Sequence, residues 1–160
     1  MNTKTSKGMT LLAAVLIPSF LSLEESAWAQ SNCKAAQAEI IEVAGAGPYA
    51  SGTITNGGNL NGTSALIFNS GAFPTPAPTT VSFTGDFTLT TNQGQLKTSN
   101  VYLYDSATGL ATVMGRINPV TSTGRFAGAT GVLFFNGKTI SYSPFIVKSN
   151  ITGEICFARQ

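Results

Sequence analysis

Val81-Ser-Phe-Thr-Gly-Asp-Phe-Thr-Leu-Thr-Thr91 (VSFTGDFTLTT) alternates without a break. Val81, Phe83, Gly85, Phe87 and Leu89 fall on one side; Ser82, Thr84, Asp86, Thr88 and Thr90 fall on the other. Period-two alternation predicts a strand with one face on an apolar interior and one hydroxylated face in solvent. Outward from this strand the chain has the same texture. Asn92-Gln93-Gly94 predicts a turn into Gln95–Tyr104, and Asp105–Gly109 a turn into Leu110–Ile117. Tyr49–Thr55 and Thr63–Phe68 flank Asn56-Gly57-Gly58, while the three prolines of Phe73–Thr80 predict a loop or a sheet edge. Asn136-Gly137 between Val132–Phe135 and Lys138–Tyr142 carries the strongest short hairpin signature. Asn150–Gly153 predicts one more turn, between Pro144–Lys148 and Glu154–Phe157. With Ala36–Val43, strand or short helix, this makes eight or nine strands and no βαβ alternation. The fold class is all-β, an antiparallel barrel or sandwich, with strand number favouring an eight-stranded barrel.

Charge and composition exclude more than they include. The 160 residues hold nine Lys/Arg and seven Asp/Glu, a net +2 too small and dispersed for a nucleic-acid footprint. Histidine is absent and there are two cysteines. That removes Ser-His-Asp triads, Cys-His pairs, His-ligated zinc and four-cysteine metal sites. No cofactor and no metal are expected. Gly131–Thr139 has the look of a phosphate loop, but its glycines are one residue too far apart and the stretch reads as strand.

The N-terminus reads as an address. Lys4 and Lys7 precede the uncharged run Met9–Leu23, and Ala27-Trp28-Ala29 follows as a cleavage site. The apolar run is short of the roughly 20 residues that span a bilayer. Residues 1–29 are therefore expected to be a removed signal peptide, and 30–160 a single secreted or periplasmic domain without stable membrane insertion. In an oxidising compartment Cys33 and Cys156 are expected to pair, bringing the first strand to the last as a closing barrel requires.

Candidate ligand contacts follow from the faces. Phe83 and Phe87 are expected to point into the lumen together with the strand of Phe134 and Phe135, and Gly85 between them to leave a gap for a ligand. Tyr102 and Tyr104 are candidate cavity donors, against the alternative that both simply pack. Arg116 is either the partner of an anionic ligand or a solvent-facing or ion-paired arginine. Asp86 is the most suggestive acidic residue, against the alternative of an exposed strand aspartate. Val101–Tyr104 and Val132–Phe135 are apolar at every position and need cover on both faces, so a homo-oligomer is expected.

Three stretches carry a family resemblance: Val113–Val120 (VMGRINPV), Thr123–Gly131 (TGRFAGATG) and Thr152–Phe157 (TGEICF). Together they resemble the C-terminal part of the allene oxide cyclase and dirigent barrels over roughly a third of the mature chain. Gly115, Asn118, Pro119, Thr123, Gly124, Phe126, Ala129 and Gly131 match in kind. The resemblance implies an eight-stranded antiparallel barrel with an apolar cavity, commonly trimeric. It carries over no activity, because the acidic and tyrosine positions those families use have no match here. Three functions are compatible with the sequence. The first is a barrel binding a small hydrophobic molecule in its lumen without covalent chemistry. The others are a surface or matrix structural protein, and a cofactor-independent cyclase or isomerase of the same barrel type.

Overall fold

The computed structural model describes residues 32–45 and 49–158; the expected signal peptide lies outside the described residues. The strands are β1 (Asn32–Ala44), β2 (Tyr49–Thr55), β3 (Gly62–Phe68), β4 (Phe73–Pro74), β5 (Thr80–Thr91), β6 (Gly94–Asp105), β7 (Leu110–Ile117), β8 (Thr130–Tyr142) and β9 (Phe145–Phe157). Each long strand pairs antiparallel with its neighbour in sequence, β3 pairs with β5, and β1 pairs with β9. Eight strands thus close an up-and-down barrel, and closure leaves no long unpaired edge. Two-residue β4 lies on β5 opposite Val81 and Ser82, beyond the end of β3. It is the sheet-edge fragment that the proline-rich segment predicts.

The closing seam runs in register from Asn32–Phe157 to Val43–Ile146. Within it Cys33 stands directly opposite Cys156, their Cα atoms 3.8 Å apart, and the two sulfurs are bonded. The expected disulfide therefore ties the first strand to the last.

Alternation sorts the core as β5 predicts. Phe87 and Leu89 are buried, while Thr84, Asp86 and Thr90 face solvent. On β8 Leu133 and Phe135 point inward and Phe134 outward. One end of the lumen is plugged. The 3-10 turn Gly124–Phe126 and the residues after it insert Phe126 and Ala129, and a second 3-10 turn, Gly58–Leu60, adds Leu60. Arg125 lies across the Phe157 ring at 5.0 Å and donates to Gln93 Oε1 at 2.7 Å, pinning the plug to the rim.

Two expected turns are strand interior instead. Asn136-Gly137 sits in the middle of β8, and Asn150–Gly153 in the middle of β9; the turn between these strands is at Ser143-Pro144. Gly137 serves close approach, because a Cβ there would collide with the Ser149 side chain and the Lys148 carbonyl on β9. Gly153 holds φ at +138°, a conformation L side chains rarely adopt. Both glycines carry turn chemistry in a local reading, yet the pairing of β8 with β7 and β9 overrides it. Each false turn splits one long strand into two short ones.

Candidate functional site

Toward the unplugged end, the lumen holds a cavity of about 170 Å³. Its apolar walls come from Phe83 and Phe87 on β5, Leu66 and Phe68 at the end of β3, Val113 on β7 and Phe135 on β8. Phe83 stacks on Tyr102 at 4.8 Å with rings nearly parallel, and Phe68 meets both edge-on. Phe87 meets Phe135 edge-on at 5.1 Å. Such geometry aligns the ring quadrupoles and fixes the walls.

A short polar chain runs along β6 inside the barrel. Thr98 Oγ1 donates to Asn100 Oδ1 at 2.6 Å, and Asn100 Nδ2 donates to Tyr102 Oη at 2.9 Å. Alternate residues of one strand share a face, so the sequence spacing alone stacks these three groups. Burial raises the Tyr102 phenol above its usual range, the Asn100 hydrogen bond only partly opposing it. Tyr102 therefore stays a neutral hydroxyl whose own proton is left to donate.

Across the cavity stands Glu42 of β1. Ala36, Ala38 and Ile40 alternate inward ahead of it, and Glu42 continues their row into the cavity wall. The residue as a whole is partly exposed, but its carboxyl Oε1 is buried and, among the described residues, has no hydrogen-bond partner. Burial alone pushes this carboxyl up to about 7. Opposite it on β2 is Gly52, and opposite Gly52 on β3 is Ser64, whose buried Oγ is also unpartnered. A Cβ on Gly52 would come within 2.9 Å of Glu42 Cγ and 2.7 Å of Ser64 Oγ, so only glycine lets the two polar side chains lie over the β2 backbone. Ser149 on β9 adds a further buried hydroxyl to the lining.

The candidate residues separate cleanly. Phe83, Phe87 and Tyr102 meet at the cavity. Gly85 faces inward but leaves no gap: a Cβ there would lie 2.8 Å from the Ile67 carbonyl oxygen, 3.1 Å from Leu66 Cδ1 and 3.4 Å from the Tyr102 ring. The expected ligand space beside Gly85 is filled from β3 and β6, and the cavity lies elsewhere along the same strand. A Gly85→Leu substitution would therefore strike backbone and overpack the wall, not fill a void. Arg116 is exposed on the outer face of β7, in phase with Met114 and out of phase with Val113, Gly115 and Ile117, and cannot touch a lumenal ligand. Asp86 is also outside, accepting from Asn69 Nδ2 at 2.9 Å and Ser99 Oγ at 3.1 Å. The exposed-aspartate alternative holds.

Glu42 was not singled out in sequence because the parity of its segment is ambiguous. Positions 36, 38 and 40 are Ala, Ala and Ile, but 41 and 43 are Ile and Val. Either face reads as apolar until the partner strands are known, and Ile41 and Val43 are the exposed ones.

No protein-family model, no curated protein and no solved structure matches this chain.

Proposed function

We propose that this chain is an exported β-barrel that binds one small hydrophobic molecule in its lumen without covalent chemistry. The observation that carries this reading is the unfilled cavity between Phe87, Phe135, Leu66 and Val113. An apolar cavity of about 150 Å³ in another protein is enough to hold benzene, so this one suits a single-ring molecule. A structural barrel gains nothing from such a void: each methyl-sized hole costs on the order of 1 kcal/mol. A desolvated carboxyl left unpaired in the wall adds to that cost. Export is supported by the Cys33–Cys156 bond, since disulfides persist in oxidising compartments. The resemblance to the allene oxide cyclase and dirigent barrels supports the same architecture and adds no ligand.

Toluene tests the reading. At a tenfold excess over Kd it should stabilise the folded state by about 1.4 kcal/mol, raising the melting temperature by roughly 5 °C. Ala50→Leu, which enlarges a small side chain of the cavity wall, should keep the strand spectrum and lose the shift. No shift in the wild type, or an equal shift in Ala50→Leu, overturns it.

The cofactor-independent isomerase of the same barrel type is the second reading, favoured by the desolvated Glu42 carboxyl in the same cavity as Tyr102. Recovery of a bound ligand chemically unchanged argues against it.

Self-association is part of the proposal. What supports it is an outer row of Val101, Met114 and Phe134, directly opposed across β6, β7 and β8, with Leu103 beside it. All four are more than two-fifths exposed, and a contiguous apolar row of this kind favours burial against a second copy. Light scattering at micromolar concentration should report more than one copy, a trimer by the resemblance, and Met114→Lys should reduce it to one. A wild-type monomer refutes this part of the proposal.

A further inference from the structure

We propose that the lumenal ligand is a small amphiphile with a protonated amine head, the ammonium set against Glu42 and a single apolar ring lying among Phe83, Phe87 and Phe135. This rests on the lumen-binding reading and deepens it.

The cavity's composition selects the head group. Glu42 is the acidic side chain in its wall, and among the described residues no lysine, arginine or histidine lines it. The other titratable groups there are Tyr102 and Tyr104, both on β6. On the strands adjacent to β1, Gly52 of β2 and Val147 and Ser149 of β9 face this region and carry no charge. A ligand carboxylate would meet Glu42 with no cation to offset it. A purely apolar ligand would leave Oε1 buried and unpartnered, which costs desolvation free energy with nothing in return. An ammonium removes both defects: it supplies the missing donor and the opposite charge in one group. The walls act in the same direction. Aromatic rings present negative faces, and seven of them line this space, Phe83, Phe87, Tyr102 and Phe135 among them. A carboxylate beside several ring faces, with no cationic side chain, is a surrounding that attracts ammonium ions.

Geometry limits the rest of the molecule. A cavity of about 170 Å³ admits one six-membered ring with a short arm and no long alkyl chain. Ser149 and Asn100 are further polar side chains in the same lining.

Benzylamine, benzyl alcohol, benzoate and toluene, titrated calorimetrically into the full mature protein, separate the possibilities. At pH 8, benzylamine should bind about tenfold or more tighter than benzyl alcohol, and benzoate should not bind. At pH 5, where Glu42 carries a proton, the amine's advantage should shrink toward parity without any mutation. Glu42→Gln should remove the advantage at pH 8 while toluene still binds. If toluene and benzyl alcohol bind but benzylamine has no advantage at pH 8, the head-group assignment is overturned and the lumen site stands. If the advantage survives intact in Glu42→Gln, the amine is held elsewhere and the assignment again fails. If none of the four binds, the lumen-binding reading itself is wrong.

Discussion

Raising the pH from 5 to 8 should cost this protein about 2.5 kcal/mol of folding stability through Glu42 alone. The unfolded chain ionises this carboxyl near its ordinary 4.5, whereas in the barrel it ionises at about 7. Below 4.5 both states hold the proton and the group has no effect. Between 4.5 and 7 the unfolded state binds fewer protons than the folded one, so stability falls as pH rises; above 7 the loss is complete. At 1.36 kcal/mol per unit of difference the total is about 3 kcal/mol. The sign is opposite to that of a salt-bridged carboxylate. With no histidine in the chain and both cysteines bonded, neither side chain competes in this window. Urea unfolding at pH 5 and pH 8 measures the effect directly. Glu42→Gln should be less sensitive to pH across the range and more stable than the wild type at pH 8. A wild type equally stable at both values would show that the carboxyl reaches solvent, and the unpaired lumenal acid would be lost from the account.

The disulfide should matter more still. Cys33 and Cys156 are 123 residues apart, so their bond closes one long loop in the unfolded chain and restricts where its ends can go. Loop-closure entropy puts the effect at up to about 5 kcal/mol, and native small domains typically lose about 2–5 kcal/mol when such a bond is removed. A Cys33→Ala/Cys156→Ala double variant should therefore melt roughly 10–20 °C lower. The closing β1–β9 seam is where this loss should appear first. Hydrogen exchange at Lys34–Ala38 and Thr152–Ile155 should accelerate more than exchange in β5 or β6. Peptide mapping without reductant should recover the two cysteines in one linked pair. Equal melting temperatures, or two alkylatable thiols in the purified protein, would contradict the claim.

How far the sequence led depends on which residues share a strand. Val81–Thr91 alternates so strictly that its inner and outer faces were readable without neighbours. Arg116 carried the same information, since Val113, Gly115 and Ile117 fix the parity of β7 and exclude it from the lumen. Gly85 did not. Whether a glycine leaves a void depends on Leu66, the Ile67 carbonyl and Tyr102, which come from two other strands. Asn136-Gly137 and Asn150–Gly153 failed for a related reason. Their local preference for a turn is real, but thirteen-residue strands paired on both sides outweigh it. The cysteines succeeded because closure of the first strand on the last sets Cys33 directly opposite Cys156. Glu42 was illegible for want of parity; its role appears only once β1 is paired to both β2 and β9.

The lumen holds an apolar cavity between Phe87, Phe135, Leu66 and Val113. Diffraction from crystals of the mature protein under xenon pressure tests it most directly, because xenon enters dry apolar cavities of this size without needing any head-group chemistry. A strong xenon peak is expected among those four side chains, with the plugged end around Phe126 and Ala129 empty of it. A lumen closed by side chains, with xenon absent from that space or bound only outside the barrel, would contradict it.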